Sequence, residues 1–134
     1  MIARPAPLDS QVFAAFPEIE AVYLFGSKAD DRANALSDTD FAVLTSMPPQ
    51  PGFKLQLYEK LTRAGIDDAD VVLLNDASIL LRYEAVRLNR VVYQKPGFDR
   101  GRYYSRVVRE YLDFQPLLNI QREAYKQRLL HGRS

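Results

Sequence analysis

The residues whose types and spacing could do chemistry are three aspartates and one Gly-Ser pair. Asp38 and Asp40 stand two apart in Asp38-Thr39-Asp40, directly ahead of the apolar run Phe41-Ala42-Val43-Leu44. Alternate side chains share one face of a strand, so both carboxylates are expected to point the same way. Two adjacent carboxylates repel each other, and burying them costs several kcal/mol unless something positive lies between them. A hard divalent cation is the usual remedy. Mg²⁺ favours one or two carboxylates together with phosphate oxygens. A phosphate site is close in sequence, because Gly26-Ser27 ends the earlier run Val22-Tyr23-Leu24-Phe25. Gly26 has no side chain, so a phosphate can approach its backbone, and Ser27 offers a hydroxyl and an N–H. Lys28 adds positive charge. Asp70 opens a third apolar run, Asp70-Val71-Val72-Leu73-Leu74. If the second and third strands are neighbours, Asp70 completes a three-carboxylate cluster able to serve an acceptor hydroxyl as general base.

Each part has an ordinary reading on its own. Gly-Ser is a common turn, Asp-x-Asp is common on surfaces, and Lys28 alone reads as a surface lysine. Ser37-x-x-Asp40 also fits a helix capping box. The strand-like Phe41–Thr45 and the stop at Met47-Pro48-Pro49 argue against a helix there. Asp70 follows Asp67 and Asp68 and could be one more solvated loop charge. The chemical reading rests on the conjunction of strand, Gly-Ser, a ten-residue gap, Asp-x-Asp, strand, and a later strand opened by Asp.

Alternating strands and helices must position these groups. Asp9 or Ser10 is placed to cap a short helix over Gln11–Phe16, ended by Pro17. Val22–Phe25 and Asp38–Leu44 read as the first two strands. The stretch Thr45–Gly52, with three prolines, is a loop. Phe53–Ala64 predicts a helix with Leu55, Leu57, Tyr58 and Leu61 available to pack, closed by Gly65. Asp70–Leu74 is the third strand. Asn75-Asp76 or Ser78 starts a helix through about Leu88, with Ile79, Leu80, Tyr83, Val86 and Arg87 at helical spacing. Val91–Gln94 is a fourth, short strand. From Phe98 to about Leu130, Val107, Tyr111, Phe114 and Leu118 recur at helical steps. Pro116 removes a backbone donor and predicts a kink or break near Gln115. The pattern is α/β in class, one sandwich-like domain with a sheet and flanking helices.

Composition narrows the partners. The chain has 134 residues, 47% hydrophobic and 26% charged, the balance of an ordinary folded domain. Lys+Arg 18 against Asp+Glu 17 gives a net charge of +1, so no basic footprint calls for direct nucleic-acid binding or an anionic membrane. Cysteine is absent, which excludes disulfides and thiolate metal sites. The opening MIARPAPLDS does not read as a signal peptide, and no apolar run is long enough to span a bilayer; cytoplasmic is the default expectation. His131, in the last four residues, reads as an end residue rather than a catalyst or ligand.

The conjunction resembles the nucleotidyltransferase fold of the polymerase-β type, and within it the minimal nucleotidyltransferase (MNT) antitoxins that pair with HEPN-domain toxins. Gly26-Ser27, Asp38-Thr39-Asp40 and Asp70-Val71-Val72 carry the likeness. Leu80–Gln94 and Arg109-Glu110-Tyr111-Leu112-Asp113-Phe114 add to it. Where family members often carry arginine and glycine after Gly-Ser, this chain has Lys28-Ala29-Asp30-Asp31-Arg32.

The resemblance implies a mixed sheet flanked by helices with a C-terminal helical tail. Residues 1–97 would be the nucleotidyltransferase unit and 98–134 an extension packing on it, on a partner, or on both. It implies ATP with Mg²⁺ and transfer of AMP to a hydroxyl. Gly26 and Ser27 would hold the β- and γ-phosphates, with Lys28 beside them. Asp38 and Asp40 would bind metal, and Asp70 would complete that cluster and assist the attacking oxygen. The implied acceptor is a tyrosine of the cognate HEPN toxin, whose ribonuclease activity adenylylation silences. Two other readings stand beside it: neutralisation by docking without catalysis, and nucleotidyl transfer to a small molecule or an RNA end. Little chain remains to build a separate small-molecule acceptor domain, and the retained Asp38, Asp40 and Asp70 favour the enzyme.

Overall fold

A computed structural model describes residues 8–25, 39–66 and 68–131. The elements run α1 (Leu8–Ala14), β1 (Ile19–Phe25), β2 (Thr39–Thr45), α2 (Phe53–Arg63), β3 (Ala69–Leu73), a 3₁₀ turn (Leu74–Asp76), α3 (Ile79–Leu88), β4 (Val91–Gln94) and α4 (Arg100–His131). The four strands form one mixed sheet in the order β3-β2-β1-β4. β1 pairs antiparallel with β2 and β4, whereas β2 and β3 are parallel. A parallel pair needs a crossover rather than a hairpin, and α2 is that crossover.

The strands are apolar on both faces because both faces are covered. Phe13, Phe16, Val22, Phe41, Val43, Leu57, Leu61 and Val71 form one buried cluster, under α1 and α2. Tyr23, Ala42, Leu74, Val86, Tyr103 and Val107 form the other, under α3 and α4. Each large side chain fully removed from water contributes about 1.5–3 kcal/mol, so these two layers dominate the stability.

Local chemistry sets the element ends. α1 runs Leu8–Ala14 rather than the expected Gln11–Phe16, so Asp9 and Ser10 lie inside it instead of capping it; after it the chain tightens, with Ala15 N–H donating to Val12 O at 3.2 Å and Phe16 N–H to Phe13 O at 3.1 Å. β1 begins at Ile19 rather than Val22, through a register shift between Ile19 and Ala21. α2 closes as expected at Gly65, whose φ of 93° suits a residue without Cβ. Ile66 N–H then reaches back to Leu61 O at 2.8 Å. Of the possible starts for α3, Ser78 is the cap: its hydroxyl accepts from Leu81 N–H at 3.2 Å.

Pro116 does not break the last helix. α4 runs unbroken through it for 32 residues, about 48 Å at 1.5 Å per residue. One missing donor costs a single intrahelical bond, and Leu118 is buried just beyond it. The earlier half of α4 is fixed to α3 by Tyr111 stacked on Tyr83, ring centroids 3.8 Å apart and planes within 7°. Glu110 also meets Arg82 at 3.1 Å. The stack contributes about 0.5–1.5 kcal/mol beyond its buried area, more than a solvent-exposed ion pair. From Asn119 to His131 every residue is exposed. Among the described residues, no helix is long and apolar enough to cross a membrane.

Candidate active site

The sheet topology brings two of the three aspartates together. β2 and β3 are neighbours, and Asp40 is the Cα partner of Asp70. Adjacent strands lie about 4.8 Å apart, so the two carboxylates start from neighbouring backbone positions. On the other side of β2, Asp40 is paired with Phe25, the last residue of β1. The acids therefore stand at the end of the sheet where the chain leaves β1 towards Gly26-Ser27. Gly26, Ser27, Lys28 and Asp38 themselves lie outside the described residues.

Their position also makes the charges tolerable. Asp40 is half-buried and Asp70 exposed, whereas the next residues along, Phe41 and Val71, are buried. Water still reaches the carboxylates at the strand entrances, so the full cost of burying a charge is not incurred. Asp40 alternates with Phe41 and so shares its face with Ala42, on the side covered by α3 and α4.

One residue was missed from the sequence. Tyr58 of α2 read as a packing residue, but its hydroxyl donates to Asp70 Oδ1 at 3.2 Å and accepts from Val71 N–H at 2.8 Å. Burial raises the Tyr58 hydroxyl above the usual tyrosine range, opposed by the Val71 N–H bond and reinforced by the Asp70 charge. No local signal could have found this contact. It depends on α2 folding back along β3, which is a tertiary outcome.

Two neighbouring carboxylates supply hard oxygen donors, which suit Mg²⁺ and not soft metals. Among the described residues, no group of three His, Cys, Asp or Glu side chains is placed to hold a metal. A cluster of three through Asp38 involves a residue outside that set.

A large cleft among the described residues lies elsewhere. It encloses about 660 Å³ and is lined by Thr45, Asn75, Tyr103, Arg102, Arg106 and Arg109, among others. Thr45 is five residues along β2 from Asp40, so this cleft opens about 16 Å away, at the other end of the sheet. Chemistry needs reactive groups rather than space, and the acid pair has them.

Residues 10–97 match the family model described as "Polymerase beta, Nucleotidyltransferase". The chain is 29% identical over 117 residues to "Protein adenylyltransferase MntA" of Aphanizomenon flos-aquae (strain 2012/KM1/D3), covering 80% of this chain and 78% of that one. Its fold is similar to a chain of the crystal structure of a toxin–antitoxin with AMP-PNP, with TM-score 0.73 and 23% identity over 95% of this chain and 99% of that one. It is also similar to a chain in the structure of a tri-AMPylated Shewanella oneidensis HEPN toxin in complex with MNT antitoxin. There the TM-score is 0.64 and the identity 23%, over 90% of this chain and 91% of that one. At these identities the solved structures speak for the fold.

Proposed function

The chain belongs to the polymerase-β nucleotidyltransferase family, and from that premise we propose that it is an antitoxin transferring AMP from ATP to a tyrosine hydroxyl of a partner HEPN-domain toxin. The observation that carries the reading is the register of Asp40 against Asp70, with Asp40 also paired to the end of β1. Support for the donor and partner comes from the relatives: one is named an adenylyltransferase, one structure holds AMP-PNP, and one contains an AMPylated toxin.

In this reading residues 1–97 are the catalytic unit and 98–134 its helical extension. Gly26 and Ser27 hold the β- and γ-phosphates, with Lys28 adding charge. Asp38, Asp40 and Asp70 would hold Mg²⁺, which would supply charge neutralisation for the phosphates. The acceptor oxygen attacks the α-phosphorus, the bond to pyrophosphate breaks, and pyrophosphate leaves. Asp70 takes the proton from the attacking hydroxyl, acting as general base. ATP as donor fits a cytoplasmic setting.

A second reading, neutralisation by docking alone, is favoured by one feature. Ile120, Tyr125, Leu129 and Leu130 of α4 are exposed, each by more than half. Large apolar and aromatic groups on a surface are the kind that partner proteins cover.

Intact-mass spectrometry separates the two. The product of the adjacent gene is incubated with this protein, ATP and Mg²⁺. A mass gain in AMP steps, lost with Asp40→Ala, is the expected result. A stable complex without mass gain would leave docking as the function; absence of both a mass gain and a complex would overturn the antitoxin reading and reopen transfer to a small molecule or an RNA end.

A further inference from the structure

We propose that Tyr58 is a positioning residue, anchored by Val71 N–H and holding one oxygen of Asp70 so that the other is presented to the acceptor hydroxyl. This rests on the transferase reading above. The phenol has one hydrogen to give, and it goes to Asp70 Oδ1 at 3.2 Å. Its oxygen accepts from Val71 N–H at 2.8 Å. The backbone of β3 thus fixes the hydroxyl, and the hydroxyl fixes the carboxylate.

Three features distinguish this from a surface contact. The Tyr58 ring packs against the buried cluster beneath α2, where Leu57 and Leu61 are fully buried. Its hydroxyl is therefore placed by core packing rather than by solvent. Asp70 is exposed, so without a partner its side chain would sample several rotamers. A base works only within hydrogen-bond reach of its proton, so selecting one rotamer acts on the chemical step. Oδ1 accepts from Tyr58 and keeps a second lone pair for the metal, which leaves Oδ2 for the acceptor hydroxyl.

The test is a double-mutant cycle on the full-length protein, using AMP transfer to the adjacent-gene product. Tyr58→Phe keeps the ring and deletes only the hydroxyl. It should lower kcat about 10-fold, with KM for ATP within about 2-fold. If Tyr58 acts through Asp70, Tyr58→Phe should cost nothing further in an Asp70→Asn background. Equal losses in both backgrounds, or an unchanged kcat in Tyr58→Phe, would overturn the inference.

A readout independent of turnover uses wild-type protein without ATP or Mg²⁺. The β-proton couplings of Asp70 should report a single χ1 rotamer, which becomes averaged in Tyr58→Phe. Averaged couplings in wild-type would also overturn it, and this holds even if the variant fails to fold. Failure of the underlying reading looks different: no AMP transfer by wild-type protein, or full transfer by Asp70→Asn.

Discussion

Asp40 and Asp70 face each other across the parallel β2–β3 pair, each at the entrance of its strand and each followed by a buried apolar residue. The strands after them are core, and the acids themselves are not. Asp40→Ala should therefore remove AMP transfer by roughly 100-fold or more. The thermal midpoint should stay where it is or rise, because one of two neighbouring like charges has gone. Transfer assays paired with a melting curve check both parts. Wild-type transfer by Asp40→Ala would refute the metal assignment.

Tyr23 gives a prediction about stability and pH. It is fully buried, and its hydroxyl has no hydrogen-bond partner among the described residues. Burial pushes its pKa up to about 12, with Tyr103 adding to the rise and Arg100 opposing it. The folded state thus holds this proton more tightly than the unfolded chain, where tyrosine titrates near 10. Stability from this group is complete below pH 10 and is lost as pH rises towards 12. Tyr23→Phe should remove that part of the alkaline loss. At pH 7 it should be neutral or stabilising by about 1 kcal/mol, since an unsatisfied buried hydroxyl is deleted. Urea unfolding at pH 7 and pH 11 is the check; a loss above 1 kcal/mol at pH 7 would mean the hydroxyl has a partner.

Asn75 ties the far ends of β2 and β3 together. Its Oδ1 accepts from Thr45 N–H at 2.9 Å, and its Nδ2 donates to Thr45 O at 2.9 Å. Thr45 is buried, so Asn75→Ala leaves two backbone groups without their partner. The expected cost is about 2 kcal/mol, a fall in midpoint of about 8 °C. Asn75→Asp should not restore it, because a carboxylate cannot donate to Thr45 O. Restoration by aspartate would show that only the acceptor half matters.

Pro116 should have a local effect. The helix beyond it is exposed from Asn119 onward, so little of the core depends on that segment. Pro116→Ala restores a helical donor at a position where proline costs about 3 kcal/mol. Amide exchange should slow from Leu117 towards His131, while the global midpoint moves little. A large rise in midpoint would show that the segment unfolds together with the core.

The strands were legible because they follow from short-range rules. Val91–Gln94 was bounded correctly by its apolar run and the turn after it. Gly65 marked the end of α2 because only a residue without Cβ takes that conformation readily. The sequence offered Asp70 as a partner only if the second and third strands were neighbours, and the strand order β3-β2-β1-β4 meets that condition. Other features depend on contacts distant in sequence. The first strand read as Val22–Phe25, yet β1 begins at Ile19, with a register shift between Ile19 and Ala21. Pro116 read as a kink or break near Gln115, and the helix continues through it without a break. Tyr58 looked like packing, and its polar end meets β3 only once α2 has folded back.

The Tyr58 hydroxyl also closes a door. β3 is the outermost strand of the sheet, next to the acid pair. An outermost strand offers free N–H groups, and a foreign chain can add itself there as one more strand. At Val71 that donor is already taken by the Tyr58 oxygen. A foreign chain adding itself as a strand would find no free donor at this point. Under the proposed function, the acceptor hydroxyl would then reach Asp70 by a route other than strand pairing at Val71.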